Sequence, residues 1–142
     1  MNPSTLEQVF DLRLELRQVL IQLGEYRLSL ERLREAEALA ERLRDDRRRG
    51  QVYAFILTSL SLIGELDEAL ASGARALAIA GTMGDLRLRI LTTTYLAQVQ
   101  FFRGEYERVI ELAPTTFRHC LLTGATIFSE VPDWFRSAIA SG

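Results

Sequence analysis

The chain has 142 residues, 48% hydrophobic and 25% charged, the balance of a single folded domain, and this excludes intrinsic disorder. A formal net charge of −2 gives no general attraction to nucleic acid or to anionic membranes. The single cysteine, Cys120, excludes an intrachain disulfide, and no apolar run approaches the ~18 residues of a membrane helix. The N-terminal residues lack a basic stretch leading into an apolar segment, so a soluble, cytoplasmic protein is expected. All 17 basic residues are arginine, whose codons are GC-rich, and this points to a bacterial, high-GC genome.

Ser4 with Glu7 reads as a capping box that opens a first helix over 5–23. Leu16, Leu20 and Leu23 recur at helical steps and are expected to face a partner helix. Gly24 then marks a turn, because glycine takes the positive φ that lets the chain reverse. A second helix is expected over 26–44, with Tyr26, Leu30 and Leu33 along one side. Helices over 48–63 and 66–80 follow, on either side of Gly64. Gly81-Thr82-Met83-Gly84-Asp85 reads as a breaker before helices over 86–103 and 106–122. Pro114 falls inside the last of these, where it removes an amide donor and predicts a kink. Beyond Gly124, Ser129 to Trp134 reads as the start of a short closing helix.

Three tetrads organise these elements. Gly24-Glu25-Tyr26-Arg27, Gly64-Glu65-Leu66-Asp67 and Gly104-Glu105-Tyr106-Glu107 recur at one constant interval, with no drift between the first step and the second. On that period Leu16, Ile56 and Leu96 align, as do Leu30, Leu70 and Ile110, Ala36 and Ala76, Ala40 and Ala80, and Asp45 and Asp85. The expectation is one all-α domain over 1–142, a helical-repeat solenoid. Its three helix–turn–helix units run over about 5–44, 45–84 and 85–122, and a C-terminal segment over 123–142 carries the short last helix.

Gly-Glu-Tyr, the small residues Ser29 and Ala69 three positions on, and Ala36 or Ala76 resemble the second helix of a tetratricopeptide repeat. The period is longer than the usual ~34 residues of that family. Arg17, Leu57 and Ala97 stand where its first helix often carries glycine, and the third unit has Val109 and Thr116 at the small positions. More specifically, residues 10–113 resemble the C-terminal repeat region of bacterial multidomain signalling proteins with class III adenylate or guanylate cyclase and ATPase domains. The stretches DLRLELRQVLIQLGEY, LREAEALAERLRD and ALASGARALAIAGTMGDLRLRILTTTYLAQVQFFRGEYERVIEL carry that likeness. It implies a tetratricopeptide-like superhelix acting as a regulatory or scaffolding arm, and it carries over no catalytic residue.

The resemblance also implies a binding groove on the faces of the first helices that turn away from their partners. Those faces carry Asp11, Leu14, Gln18 and Gln22, then Gln51, Ala54, Thr58 and Leu62, then Leu91, Thr94, Gln98 and Phe102. Solenoids commonly bind protein or peptide on such a surface, while the bland alternative is an ordinary solvated or interhelical stripe. No arginine lies on it, so clamping of a peptide carboxylate is not expected. Arg42, Arg44, Arg47, Arg48 and Arg49 are interrupted by Asp45 and Asp46 and lack interleaved aromatics, so they read as a solvated turn rather than a nucleic-acid patch. His119 and Cys120 are sequence neighbours, which on a helix point about 100° apart, so they read as packing residues. With no phosphate loop, metal motif or nucleophile elbow, the reading is non-enzymatic, without cofactor or metal. Phe128, Trp134 and Phe135 either cap the last unit or pair with a second copy as a homodimer. A peptide-binding scaffold, a self-association module and a small-molecule-sensing helical domain all remain open at this point.

Overall fold

A computed structural model describes residues 2–104, apart from the side chains of residues 101 and 102. The described residues form five α-helices and no strand: α1 (Pro3–Gln22), α2 (Tyr26–Leu43), α3 (Asp46–Ile63), α4 (Leu66–Met83) and α5 (Leu86–Phe102). The expected helices over 106–122 and beyond residue 129, and the kink at Pro114, lie outside the described residues.

One turn design recurs. Positive φ angles occur at Gly24 (76°), Arg44 (52°), Gly64 (95°), Gly84 (64°) and Gly104 (80°), evenly spaced at half the interval of the tetrads. Behind the first four, the next amide donates to a carbonyl five positions back: Glu25 to Leu20, Asp45 to Ala40, Glu65 to Leu60 and Asp85 to Ala80, at 2.8–3.2 Å. That bond satisfies a carbonyl the ending helix would otherwise leave free. Each repeat is therefore two equal half-units, and each half-unit is a helix closed by a left-handed residue. Contacts across the turns are equidistant from them along the chain, as antiparallel neighbours require. Arg13 and Glu35, symmetric about Gly24, form an ion pair, and Ser29 and Ser59, symmetric about Arg44, meet side chain to side chain.

The helix starts differ by type. Asp45 and Asp85 cap α3 and α5, their carboxylates accepting the Arg48 and Leu88 amides at 3.0 Å. α2 and α4 start after Glu25 and Glu65 without a side-chain cap. α1 is capped by Asn2, which accepts the Thr5 amide at 2.8 Å. This corrects the Ser4–Glu7 box: Pro3 has no amide to satisfy and its fixed φ suits the first helical position, so the helix begins earlier. The breaker before α5 is also shorter than expected. α4 runs through Gly81 to Met83, because one exposed glycine costs a helix only about 1 kcal/mol.

Apolar side chains from all five helices form one core, including Phe10, Leu33, Val52, Ile56, Leu57, Leu60, Leu88 and Val99. Burying each large side chain contributes about 1.5–3 kcal/mol. Small residues set the spacing of the helices. Ser29, Ala36 and Ala40 on α2, and Ala69, Ala76 and Ala80 on α4, are buried. A Cβ on Gly73 would run into the Leu96 side chain of α5, so α4 and α5 approach closely there. Each helix packs on the next, and α3 also packs on α5.

α1 turns Leu6, Phe10 and Leu20 into the core, with Leu14 half-buried against it. Leu16 and Leu23, expected on that face, are instead 41% and 70% exposed. The cause is rotational. The inward stripe of α1 passes through residues 6, 10, 13, 17 and 20, and position 16 lies roughly 80–100° from its centre at 100° per residue.

Candidate interaction face

The twelve residues of the expected groove stripe fall into open and closed sets. Asp11, Gln18 and Gln22 on α1 and Gln51 and Leu62 on α3 are exposed. Leu14, Thr58, Leu91 and Gln98 are half-buried. Ala54 is fully buried. Thr94 is only 4% exposed, and its hydroxyl donates to the Ile90 carbonyl at 2.9 Å, which leaves it little to offer a partner. The side chain of Phe102 lies outside the described residues. The exposed residues that remain, three on α1 and two on α3, are three amides, one carboxylate and one leucine, without a positive charge.

Two contacts that sequence spacing does not signal join α1 to α3 beside this stripe. The Arg17 guanidinium stacks 3.5 Å from the centre of the Phe55 ring, a cation–π contact, and also donates to the Leu14 carbonyl at 3.4 Å. Arg48 lies 5.5 Å from the Phe10 ring and 3.7 Å from Glu7. Neither is legible from periodicity, because each depends on how two helices separated by a third are placed.

The arginine run divides in two. Arg48 pairs with Asp45 at 2.7 Å and Arg49 with Asp46 at 2.8 Å, so both close the start of α3. Arg42, Arg44 and Arg47 are exposed and take no part in these pairs. Burial pushes the Asp45 carboxyl up, but the Arg48 amide and guanidinium outweigh it and hold the group below its ordinary 3.8. Tyr53 is shifted upward, first by burial and then by the Glu37 carboxylate. Arg49 is shifted upward by its bond to Asp46.

Among the described residues no three His, Cys, Asp or Glu side chains are grouped to hold a metal ion, and no helix is long and apolar enough to cross a membrane. A depression lined by Gly24, Glu25, Tyr26, Arg27 and Ile63 opens to solvent at the first turn, and none of the groove-stripe residues lines it. His119, Cys120, Phe128, Trp134 and Phe135 lie outside the described residues.

The structure also exposes a second surface that the repeat alignment conceals. Leu12, Leu16, Val19 and Leu23 are all exposed along one side of α1, at helical steps. The steps are visible in the sequence, but the alignment of Leu16 with Ile56 and Leu96 places it in the core. Set against known proteins, the chain matches no family model, no curated protein and no solved structure.

Proposed function

We propose that this chain is a non-enzymatic interaction module of tetratricopeptide type, a regulatory or scaffolding arm that binds a protein or peptide on its first helices. The observation that carries the reading is the exposed row of Asp11, Gln18, Gln22, Gln51 and Leu62 beside a core packed through small residues. Amides that donate and accept suit the backbone of an extended or helical peptide, and interspersed apolar side chains suit its anchors. The constant register of Gly24, Gly64 and Gly104 and the buried small positions Ser29, Ala36, Ala69 and Ala76 support the tetratricopeptide assignment.

The test is a displayed peptide library selected against the full chain. Selected peptides should bind the wild type and lose at least tenfold in affinity when Gln18 and Gln51 are both changed to arginine. Arg34→Ala, on the outer side of α2, should leave binding unchanged. Peptides indifferent to the Gln18→Arg, Gln51→Arg pair would place binding elsewhere and overturn the reading.

A further inference from the structure

The repeat itself reveals what belongs on the exposed apolar stripe of α1. Leu12, Leu16, Val19 and Leu23 are 64%, 41%, 50% and 70% exposed. One period on, the same positions are Val52, Ile56, Ser59 and Ile63 of α3, the first three fully buried. Two periods on, Thr92 and Val99 of α5 are again fully buried. The covering element is identified in both cases. Ser59, the counterpart of Val19, meets Ser29 of α2 at 3.4 Å. Leu96, the counterpart of Leu16, lies over Gly73 of α4. Each first helix therefore receives, on this stripe, the small-residue side of the second helix before it. On α1 the same stripe is apolar and open.

We propose that Leu12, Leu16, Val19 and Leu23 form a docking face for a partner helix of the α2 and α4 kind, one with Ala, Ser or Gly along one side. The surface is continuous in kind with the α2–α3 and α4–α5 interfaces, so the chemistry of its occupant follows from theirs. The small residues admit the leucine side chains, as Gly73 admits Leu96. The exposed apolar area is on the order of 400 Å², the size of the largest patch on a typical monomer, which is often a binding surface. Among the described residues a second copy offers no free small-residue side, because those of α2 and α4 are already buried in their own chain. The stripe lies about 110° around α1 from Asp11, Gln18 and Gln22 at 100° per residue, so it is a different face from the proposed groove.

The probe is a hydrocarbon-stapled peptide of the α4 sequence, Leu66–Met83, with its helicity verified by circular dichroism, titrated onto the full chain and read by fluorescence anisotropy. Saturable binding is expected in roughly the tens-of-micromolar range of weak specific contacts. Leu16→Glu and Val19→Glu in the chain should each weaken it at least tenfold, and Ala76→Arg in the peptide should do the same. Both chain positions are half-exposed, and an unchanged melting curve verifies that each variant folds. Gln18→Arg with Gln51→Arg should leave this binding intact, so failure of the groove reading and failure of this one are distinguishable. A helical peptide that does not bind below about 1 mM, or binds regardless of Leu16→Glu, overturns the proposal. So does a wild-type dimer that Leu16→Glu converts to monomer in sedimentation, since the occupant would then be a second copy.

Discussion

Arg44 offers the sharpest test of the half-unit repeat. It is the only non-glycine with positive φ among the described residues, at 52°, where Gly24, Gly64, Gly84 and Gly104 hold the equivalent places. The left-handed conformation costs an ordinary residue about 1–2 kcal/mol, through crowding of Cβ against the next carbonyl. Glycine escapes that cost but loses about 0.5–1 kcal/mol more backbone entropy on folding. Arg44 is exposed, so its side chain contributes little contact to lose. Arg44→Gly should therefore stabilise the chain by about 0.5–1 kcal/mol, or roughly 2–5 °C in Tm. Gly84→Arg, the reverse change one period on, should destabilise it by a similar amount. Urea unfolding followed by circular dichroism measures both, with a shifted midpoint and an unchanged slope as the signature. A lower midpoint for Arg44→Gly, or no loss for Gly84→Arg, would refute the equivalence of the turns.

Three further outcomes are expected. Ala69→Leu and Ala76→Leu, both at fully buried positions, should each cost about 1–3 kcal/mol by overpacking, measured by thermal unfolding. Thr92 is fully buried and its hydroxyl has no hydrogen-bond partner among the described residues, so the near-isosteric Thr92→Val should leave stability unchanged or raise it by about 1 kcal/mol. Asp45→Ala should cost about 1 kcal/mol at pH 7 through the lost cap of α3. Because folding holds the Asp45 carboxyl below 3.8, the unfolded chain protonates first; its contribution is present above that pH and lost as pH falls through the folded value. The Asp45→Ala deficit should therefore shrink in urea titrations below about pH 4, and a deficit independent of pH would show that Arg48 does not hold the charged form.

Much of the helix layout is legible because its signals are local. The tetrads at Gly24 and Gly64 locate two turns, and α2 and α4 begin at Tyr26 and Leu66 as the spacing predicts. The small columns Ser29 with Ala69 and Ala36 with Ala76 identify buried positions, since a single buried side sets them. The turn at Arg44 carries no glycine to announce it and shows only as the end of a periodic run. The face of α1 misleads for a different reason. Leu16 aligns with Ile56 and Leu96, and a shared column suggests a shared intramolecular contact. The column does share a direction, but α1 has no described helix on that side. For the groove stripe, sequence supplies the residues but not their openness. Ala54 and Thr94 lie on helices that pack on each other, and burial of that kind depends on tertiary placement.

The same geometry explains why α3 gives so weak an amphipathic signal. A helix packed on one neighbour has one stripe to bury, but α3 meets α2 on one side and α4 with α5 on another. Tyr53, Leu57 and Leu60 belong to the side of Gly50, which faces Ile79 of α4 and Leu88 of α5. Val52, Ile56 and Ser59 belong to the side of α2. Gln51, Thr58 and Leu62 form what is left. With two of three sides apolar, hydrophobic residues spread over most of the helix and no single direction stands out as apolar. α1 has the same three-sided composition, with Leu6, Phe10 and Leu20 on one side, Leu12, Leu16 and Val19 on the second, and Asp11, Gln18 and Gln22 on the third. Only the first of its apolar sides is filled among the described residues. A helix shaped solely for the end of an array needs one apolar side and two polar ones, as natural capping helices have. The composition of α1 matches that of α3, with two apolar sides, and a partner that covered its second apolar side would gain by excluding water from Leu12, Leu16 and Val19.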